Sequence, residues 1–154
     1  MKKALLLSLS VFYIGCTTNS NQPSILPEPQ TIIPTLILQG ELYGAGQENI
    51  AEQRTVITNQ TAFDALQMQM SIVNNTQFPP TVPVNFTTDR VLAVFDQVQG
   101  YGGYTIRVTN LQETATQIIA TIVKTSPQGF ATTVITQPYH IVKIPISSKP
   151  IIFN

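Results

Sequence analysis

Most of this sequence consists of short runs of β-branched and apolar residues, separated by turns that contain glycine, proline or asparagine. Such runs favour β-strands, because branched and aromatic side chains pack well on a pleated surface. Residues 58–73 instead have the three- and four-residue spacing of an amphipathic helix, with an apolar stripe made of Phe63, Leu66, Met70 and Val73. The pattern therefore predicts an α+β fold, in which one helix packs on a mostly antiparallel β-sheet of about six strands.

The boundaries of these elements follow from the residues between them. Thr58 or Asn59 is the predicted helix cap, and Asn74 and Asn75, followed by prolines, end the helix. The apolar run at residues 91–95 predicts a central, buried strand. The predicted strands cover residues 35–43, 54–58, 90–98, 104–109 and 116–125 and part of 133–146, and the later turns cover residues 100–103, 110–113 and 126–129.

The N-terminus has the form of a lipoprotein signal peptide. Two lysines precede a mostly apolar stretch, residues 4–14, which is shorter than the roughly 20 residues that a membrane span requires. Gly15 is a small residue placed directly before Cys16, the only cysteine of the chain. We therefore predict a cleaved signal peptide at residues 1–15 and a lipid on Cys16, although Tyr13 stands where leucine is usual.

A lipid on the first mature residue predicts a location in the bacterial cell envelope, anchored to the outer membrane. An ordinary secretory signal with an unmodified cysteine is the alternative. Residues 16–34 are rich in proline, asparagine and serine and are predicted to be a tether. Residues 35–154 are long enough for one self-sufficient core, so a single domain is expected there.

The charge of the chain argues against a nucleic-acid partner. Charged residues make up only 10% of the sequence, well below the usual quarter. Once Lys2 and Lys3 leave with the signal peptide, six Lys and Arg face eight Asp and Glu, a side-chain charge of −2. Such a surface does not attract a phosphate backbone.

No residue pattern predicts catalysis, a metal site or a cofactor. His140 is the only histidine, and no G-x-S-x-G motif supplies a serine nucleophile for it. Alternation along its strand puts His140 on the same face as Val142 and Ile144, which predicts a structural, hydrogen-bonded histidine. The sequence is therefore interpreted as that of a non-enzyme without cofactors, and a hydrolase that uses His140 is kept as an alternative.

Three segments resemble the PrcB-like family, which is named for an accessory subunit of a protease complex. They are residues 91–95, residues 102–106 and the stretch Gln-Pro-Tyr-His-Ile-Val-Lys-Ile-Pro at 137–145, within a resemblance that covers residues 54–146. The resemblance implies an exported lipoprotein that binds or stabilises a protein partner, such as a surface protease, without catalysis. This chain lacks the basic residue that family members often carry shortly before Gly-Gly-Tyr.

The candidate partner-binding residues lie in a glycine-rich turn and in a later Pro-Tyr pair. Glycine lets the backbone adopt positive φ and approach a partner closely, and tyrosine is enriched at interface hot spots. The candidates are Tyr101, Gly102, Gly103 and Tyr104 and, by hypothesis nearby in space, Pro138 and Tyr139. The alternatives are that the glycines only shape the turn and that Tyr104 and Tyr139 belong to the core.

A glycine-rich turn followed by a later Pro-aromatic segment is also similar to the loops of chagasin-type inhibitors of cysteine proteases. The alternative function is therefore inhibition of a protease, which an assay against a papain-type enzyme would distinguish from an accessory role.

Overall fold

The computed structural model describes residues 28–73 and 77–154, and these form eight strands and one helix. Residues 1–15, predicted to be a signal peptide, and Cys16 lie outside the described residues. The predicted α+β class is confirmed, with eight strands rather than six. The elements are β1 (Gln30–Ile32), β2 (Thr35–Leu42), β3 (Gln53–Ile57), α1 (Gln60–Ser71), β4 (Asp89–Phe95), β5 (Thr105–Glu113), β6 (Ile118–Thr125), β7 (Gln137–Pro145) and β8 (Ile151–Phe153).

The strands form two sheets of four strands each, where the sequence predicted one. The central sheet has the order β2-β7-β4-β3, and the outer sheet has the order β1-β5-β6-β8. Neighbouring strands are antiparallel except for β6 and β8, which are parallel. The helix packs on one face of the central sheet and the outer sheet packs on the other.

The apolar run in β4 reflects this layered arrangement. Val91, Ala93 and Phe95 belong to the core beneath the helix, whereas Leu92 and Val94 belong to the core between the two sheets. A strand that is buried on both faces has no polar alternation, which is why residues 91–95 are apolar throughout. The predicted central position of this strand is confirmed.

Helix α1 forms where the apolar stripe predicts it. Asn59 is the N-cap, and its side chain accepts a hydrogen bond from the Ala62 amide at 2.9 Å. Phe63 and Met70 are buried against the central sheet, and Leu66 is only partly buried at the edge of the contact. The helix ends at Ser71, before the prolines that prevent its continuation.

The prediction of a turn at residues 110–113 is wrong, because β5 continues to Glu113. The register with β6 shifts between Val108 and Asn110, and this bulge places Leu111 in the core opposite Ala120. The actual turn follows at residues 114–117, where the Thr114 amide donates to the Gln117 carbonyl at 2.8 Å.

The sheets also extend beyond both predicted ends. The strand expected within residues 133–146 is β7, but β8 follows it and pairs with β6. At the other end β1 lies within residues 16–34, the predicted tether, and pairs Gln30 with Glu113. Pro34 stands between β1 and β2, where the chain passes from the outer sheet to the central sheet.

The strands give the molecule two distinct ends. One end carries the loops at residues 43–52, 96–104 and 126–136, and we call it the turn end. The opposite end carries Gln30, which pairs with the last residue of β5. Because β5 has nine residues, the two ends lie about 30 Å apart.

Candidate partner-binding surface

The glycine-rich turn between β4 and β5 lies at the turn end, where the chain crosses from the central to the outer sheet. Gly103 has φ +89°, a conformation that favours glycine. A Cβ atom on Gly102 would lie 2.5 Å from the Thr132 hydroxyl oxygen, and the Gly102 amide donates to the Thr132 carbonyl at 3.1 Å. The turn therefore favours glycine at residue 103, and a side chain at residue 102 would have to displace the Thr132 hydroxyl.

Tyr101 and Tyr104 form a stacked pair on this turn. Their ring centroids are 6.1 Å apart with an interplanar angle of 25°. Tyr101 is 51% exposed, whereas Tyr104 is partly buried beneath it. The pair thus presents one large, pre-positioned ring to solvent, which costs little entropy on binding a partner.

A carboxylate from β2 holds the turn in place. Oε1 of Glu41 accepts a hydrogen bond from the Gly103 amide at 2.9 Å. The Thr136 hydroxyl lies 3.1 Å from the same oxygen and 3.2 Å from the Tyr101 carbonyl, and it donates to one of them at a time. Glu41 and Thr136 carry no local sequence signal for this role, because each contact joins residues 62 or more positions apart.

Several exposed apolar side chains lie on the same loops of the turn end as Tyr101. Monomeric proteins rarely leave large apolar side chains grouped in solvent unless they bind something. We call this group the turn-end surface; it consists of Tyr43, Val98, Tyr101, Phe130, Val134 and Ile135, each at least 40% exposed.

Pro138 and Tyr139 are buried and do not contribute exposed area to this surface. Tyr139 is 6% exposed and packs against Phe95 at 5.9 Å and edge-on against Phe78 at 6.0 Å. Its hydroxyl lies 3.2 Å from the position of a Cβ on Gly40, so a side chain at residue 40 would press on the Tyr139 hydroxyl. Burial raises the pKa of the Tyr139 hydroxyl. The pair lies inside the core, because β7 is an inner strand of the central sheet.

The part of the chain that matches a known protein family includes the glycine-rich turn. Residues 90–145 match the PrcB C-terminal family model. The predicted resemblance is thereby confirmed for β4, β5, β6 and β7 and the loops between them. Neither the curated proteins nor the solved structures contain a match to the chain.

The segment that matches the family model also contains His140, which is buried between the sheets. Its side chain is 7% exposed, and its Nδ1 accepts a hydrogen bond from the Val108 amide at 3.3 Å. Burial, together with the nearby positive charge of Arg107, lowers the pKa of His140 to about 4. The imidazole is therefore neutral at pH 7, and this contact suits the structural role that the sequence predicts for it.

The described residues offer no further ligand cluster. Within residues 28–73 and 77–154, no group of three or more His, Cys, Asp or Glu is placed to hold a metal ion. No helix in this part of the chain has the length and hydrophobicity of a membrane span.

Proposed function

We propose that this chain is an exported, lipid-anchored accessory protein that docks on a protein partner, such as a surface protease, through its turn-end surface. The match of residues 90–145 to the PrcB C-terminal family carries the proposal, because that family is named for a subunit of a protease complex. The matched residues include Tyr101 and the whole glycine-rich turn. The role is binding rather than catalysis, and the net charge suits a protein partner better than nucleic acid.

The position of the N-terminal strand supports this arrangement. The proposed lipid sits on Cys16, and the chain enters the outer sheet at Gln30, on the end opposite the turn. A domain attached in this way has its turn-end surface about 30 Å from the point where the tether enters. Tyr101 and its apolar neighbours would therefore face a partner rather than the anchor.

Cys16→Ser should release the protein from membranes or leave it as an unprocessed precursor, because the lipid is attached through the sulfur. Membrane fractionation and incorporation of a labelled fatty acid measure this directly. Thr17→Ser is the matched control and should be processed and membrane-bound like the wild type. If Cys16→Ser is processed and stays with the membranes as before, the lipid anchor is wrong.

Tyr101→Ala should lower the free energy of unfolding by no more than about 1 kcal/mol, because the half-exposed ring loses mainly its stacking on Tyr104. Loss of a hot-spot tyrosine should weaken partner binding by about 30-fold. The measurements are denaturant melts and quantitative co-purification from native envelope membranes.

Ile146→Ala is the control for this comparison, since Ile146 is similarly exposed but lies at the opposite end. If Tyr101→Ala melts as expected and still co-purifies with as much partner as the wild type, the turn is not part of the binding surface. Inhibition of a papain-type protease by the full chain, lost in Tyr101→Ala, would instead favour the chagasin-type function.

A further inference from the structure

The loop between β6 and β7, residues 126–136, is anchored in its second half and free at its tip. The Thr132 carbonyl accepts a hydrogen bond from the Gly102 amide at 3.1 Å, and Thr136 exchanges two backbone hydrogen bonds with Gln99, at 2.7 and 3.1 Å. At the tip Gly129 has φ +96°, and a Cβ atom added to it would have no atom within 4 Å apart from its chain neighbours. The backbone of the tip therefore stands clear of the rest of the described chain.

The peptide bond after Phe130 lies at this tip. The Phe130 side chain is fully exposed, and the next residue is the small Ala131. Within residues 28–73 and 77–154, neither the Phe130 carbonyl nor the Ala131 amide forms a hydrogen bond. This bond therefore lacks the pairing that keeps strands out of a protease active site, and exposed loop tips with small residues are preferred sites of cleavage.

The other two exposed aromatic residues in the described loops precede peptide bonds that are held in place. Tyr43 is 58% exposed, but the amide of the next residue, Gly44, donates to a buried carboxylate at 2.7 Å. Tyr101 is half-exposed, but the amide of the next residue, Gly102, donates to the carbonyl of residue 132. Among these three aromatic residues, only Phe130 precedes a bond that can enter an active site without breaking such a contact.

Other common protease sites in residues 28–154 are protected by strand pairing, by the helix or by proline. The leucines and methionines of the described chain all lie in strands or in α1. Lys149 lies in a loop but precedes Pro150, and trypsin cuts poorly before proline, whose nitrogen carries no hydrogen. The other five basic residues lie in strands; they are Arg54, Arg90, Arg107, Lys124 and Lys143.

We propose that the peptide bond between Phe130 and Ala131 is a cleavage site, at which an endopeptidase with an apolar pocket for an aromatic side chain cuts the folded chain. The reaction is a hydrolysis: water adds across the bond, which leaves a carboxylate on Phe130 and a new amino group on Ala131. This inference goes beyond the proposed function and does not depend on it. In the proposed complex the partner would cover this loop, so the free chain is the substrate.

The cut would leave the fold in one piece but change the turn-end surface. β7 follows the cut and lies between β2 and β4, which precede it, and β8 pairs with β6. Residues 126–136 contain no charged side chain, whereas the two new termini carry one negative and one positive charge near neutral pH. Charged groups are depleted at the cores of interfaces, so cleavage should weaken docking of the partner.

Limited digestion of the full chain with chymotrypsin tests the site. Mass spectrometry should detect one dominant pair of fragments, which end at Phe130 and begin at Ala131, and the two should still co-elute in size-exclusion chromatography. The same activity of trypsin should leave the chain intact over the same time. Because trypsin cuts an unfolded chain after its lysines and arginines, this comparison also shows that the chain stays folded during digestion.

Two variants separate cleavage from docking. Phe130→Ala should slow the cut by at least about tenfold, because even one missing methylene in an apolar pocket costs about that much. Ala131→Pro should block the cut and keep the Phe130 ring, since it removes only an amide hydrogen that has no partner within residues 28–73 and 77–154. Tyr43→Ala is the matched control; it removes another exposed ring of the turn end and should be cut at the wild-type rate.

A first cut elsewhere in residues 28–154, an unchanged rate for Phe130→Ala, equal digestion by trypsin, or fragments that separate without denaturant would each overturn the proposal. Equal recovery of partner by cut and intact chains would contradict the effect on docking. Co-purification distinguishes the cleavage site from the accessory role. A chain that resists chymotrypsin but loses its partner in Tyr101→Ala would leave the accessory role standing and remove only the cleavage site.

Discussion

Phe63→Ala should lower the free energy of unfolding by about 3–5 kcal/mol. The Phe63 side chain is 1% exposed, lies between α1 and the central sheet, and meets Phe86 edge-on at 6.0 Å. Its removal loses buried apolar area and leaves a cavity that the rigid sheet below cannot fill. Since small domains are stable by about 5–15 kcal/mol in total, this is a large share. Urea or guanidinium unfolding of the full chain measures the change.

Two variants of the same helix calibrate this result. Met68→Ala should stay within about 0.5 kcal/mol of the wild type, because Met68 is 72% exposed. Leu66→Ala should lie between the two, since Leu66 is only partly buried. A Phe63→Ala loss no larger than that of Met68→Ala would show that the helix does not pack on the sheet as described.

Acidification should destabilise the fold through His140. Burial holds the pKa of His140 at about 4 in the folded protein, whereas an unfolded histidine has a pKa of about 6.5. The folded state therefore binds this proton less readily than the unfolded state does. The stability that the neutral, buried imidazole contributes is complete only above about pH 6.5. It should be lost as the pH falls from about 6.5 through 4, for a total of roughly 3 kcal/mol.

His140→Gln isolates this effect, because glutamine does not titrate and its side-chain oxygen can accept the Val108 amide. As the pH falls from about 6.5 to 4, the wild type should lose stability that the variant keeps. The advantage of the wild type in unfolding free energy should therefore shrink or reverse. Asp89 responds at lower pH, since the Asn85 amide and Lys143 lower the pKa of its carboxyl. Parallel pH profiles for the two proteins would contradict the assignment. A hydrolytic activity that disappears in folded His140→Gln would support the enzyme alternative instead.

The sequence predicted those elements whose signal is local. Helix α1 was predicted from its apolar stripe and the cap at Asn59, because both depend on residues three or four positions apart. The central strand β4 was predicted from five consecutive apolar residues. The bulge in β5 was missed, because Asn110 looks like a turn residue until Leu111 is seen to pack in the core.

The candidate site was only half visible in the sequence. Tyr101 and the glycines were singled out because turn chemistry is encoded locally. Glu41 and Thr136, which hold that turn, were not, since they come from β2 and from the residue before β7. For Tyr139 the sequence leaves both a surface and a core position open, because its burial depends on the aromatic rings of Phe78 and Phe95, which come from distant segments.

By itself, the sequence determined the β-rich class, the one amphipathic helix of the described chain, the central apolar strand and the family resemblance of residues 90–145, because each is a property of consecutive residues. Only the tertiary structure decided that the strands divide into two sheets, that β8 pairs in parallel with β6, and that β1 pairs with only the last three residues of β5. These features depend on where the chain crosses between layers. A crossing is fixed by the packing of residues far apart in sequence, and no local periodicity records it.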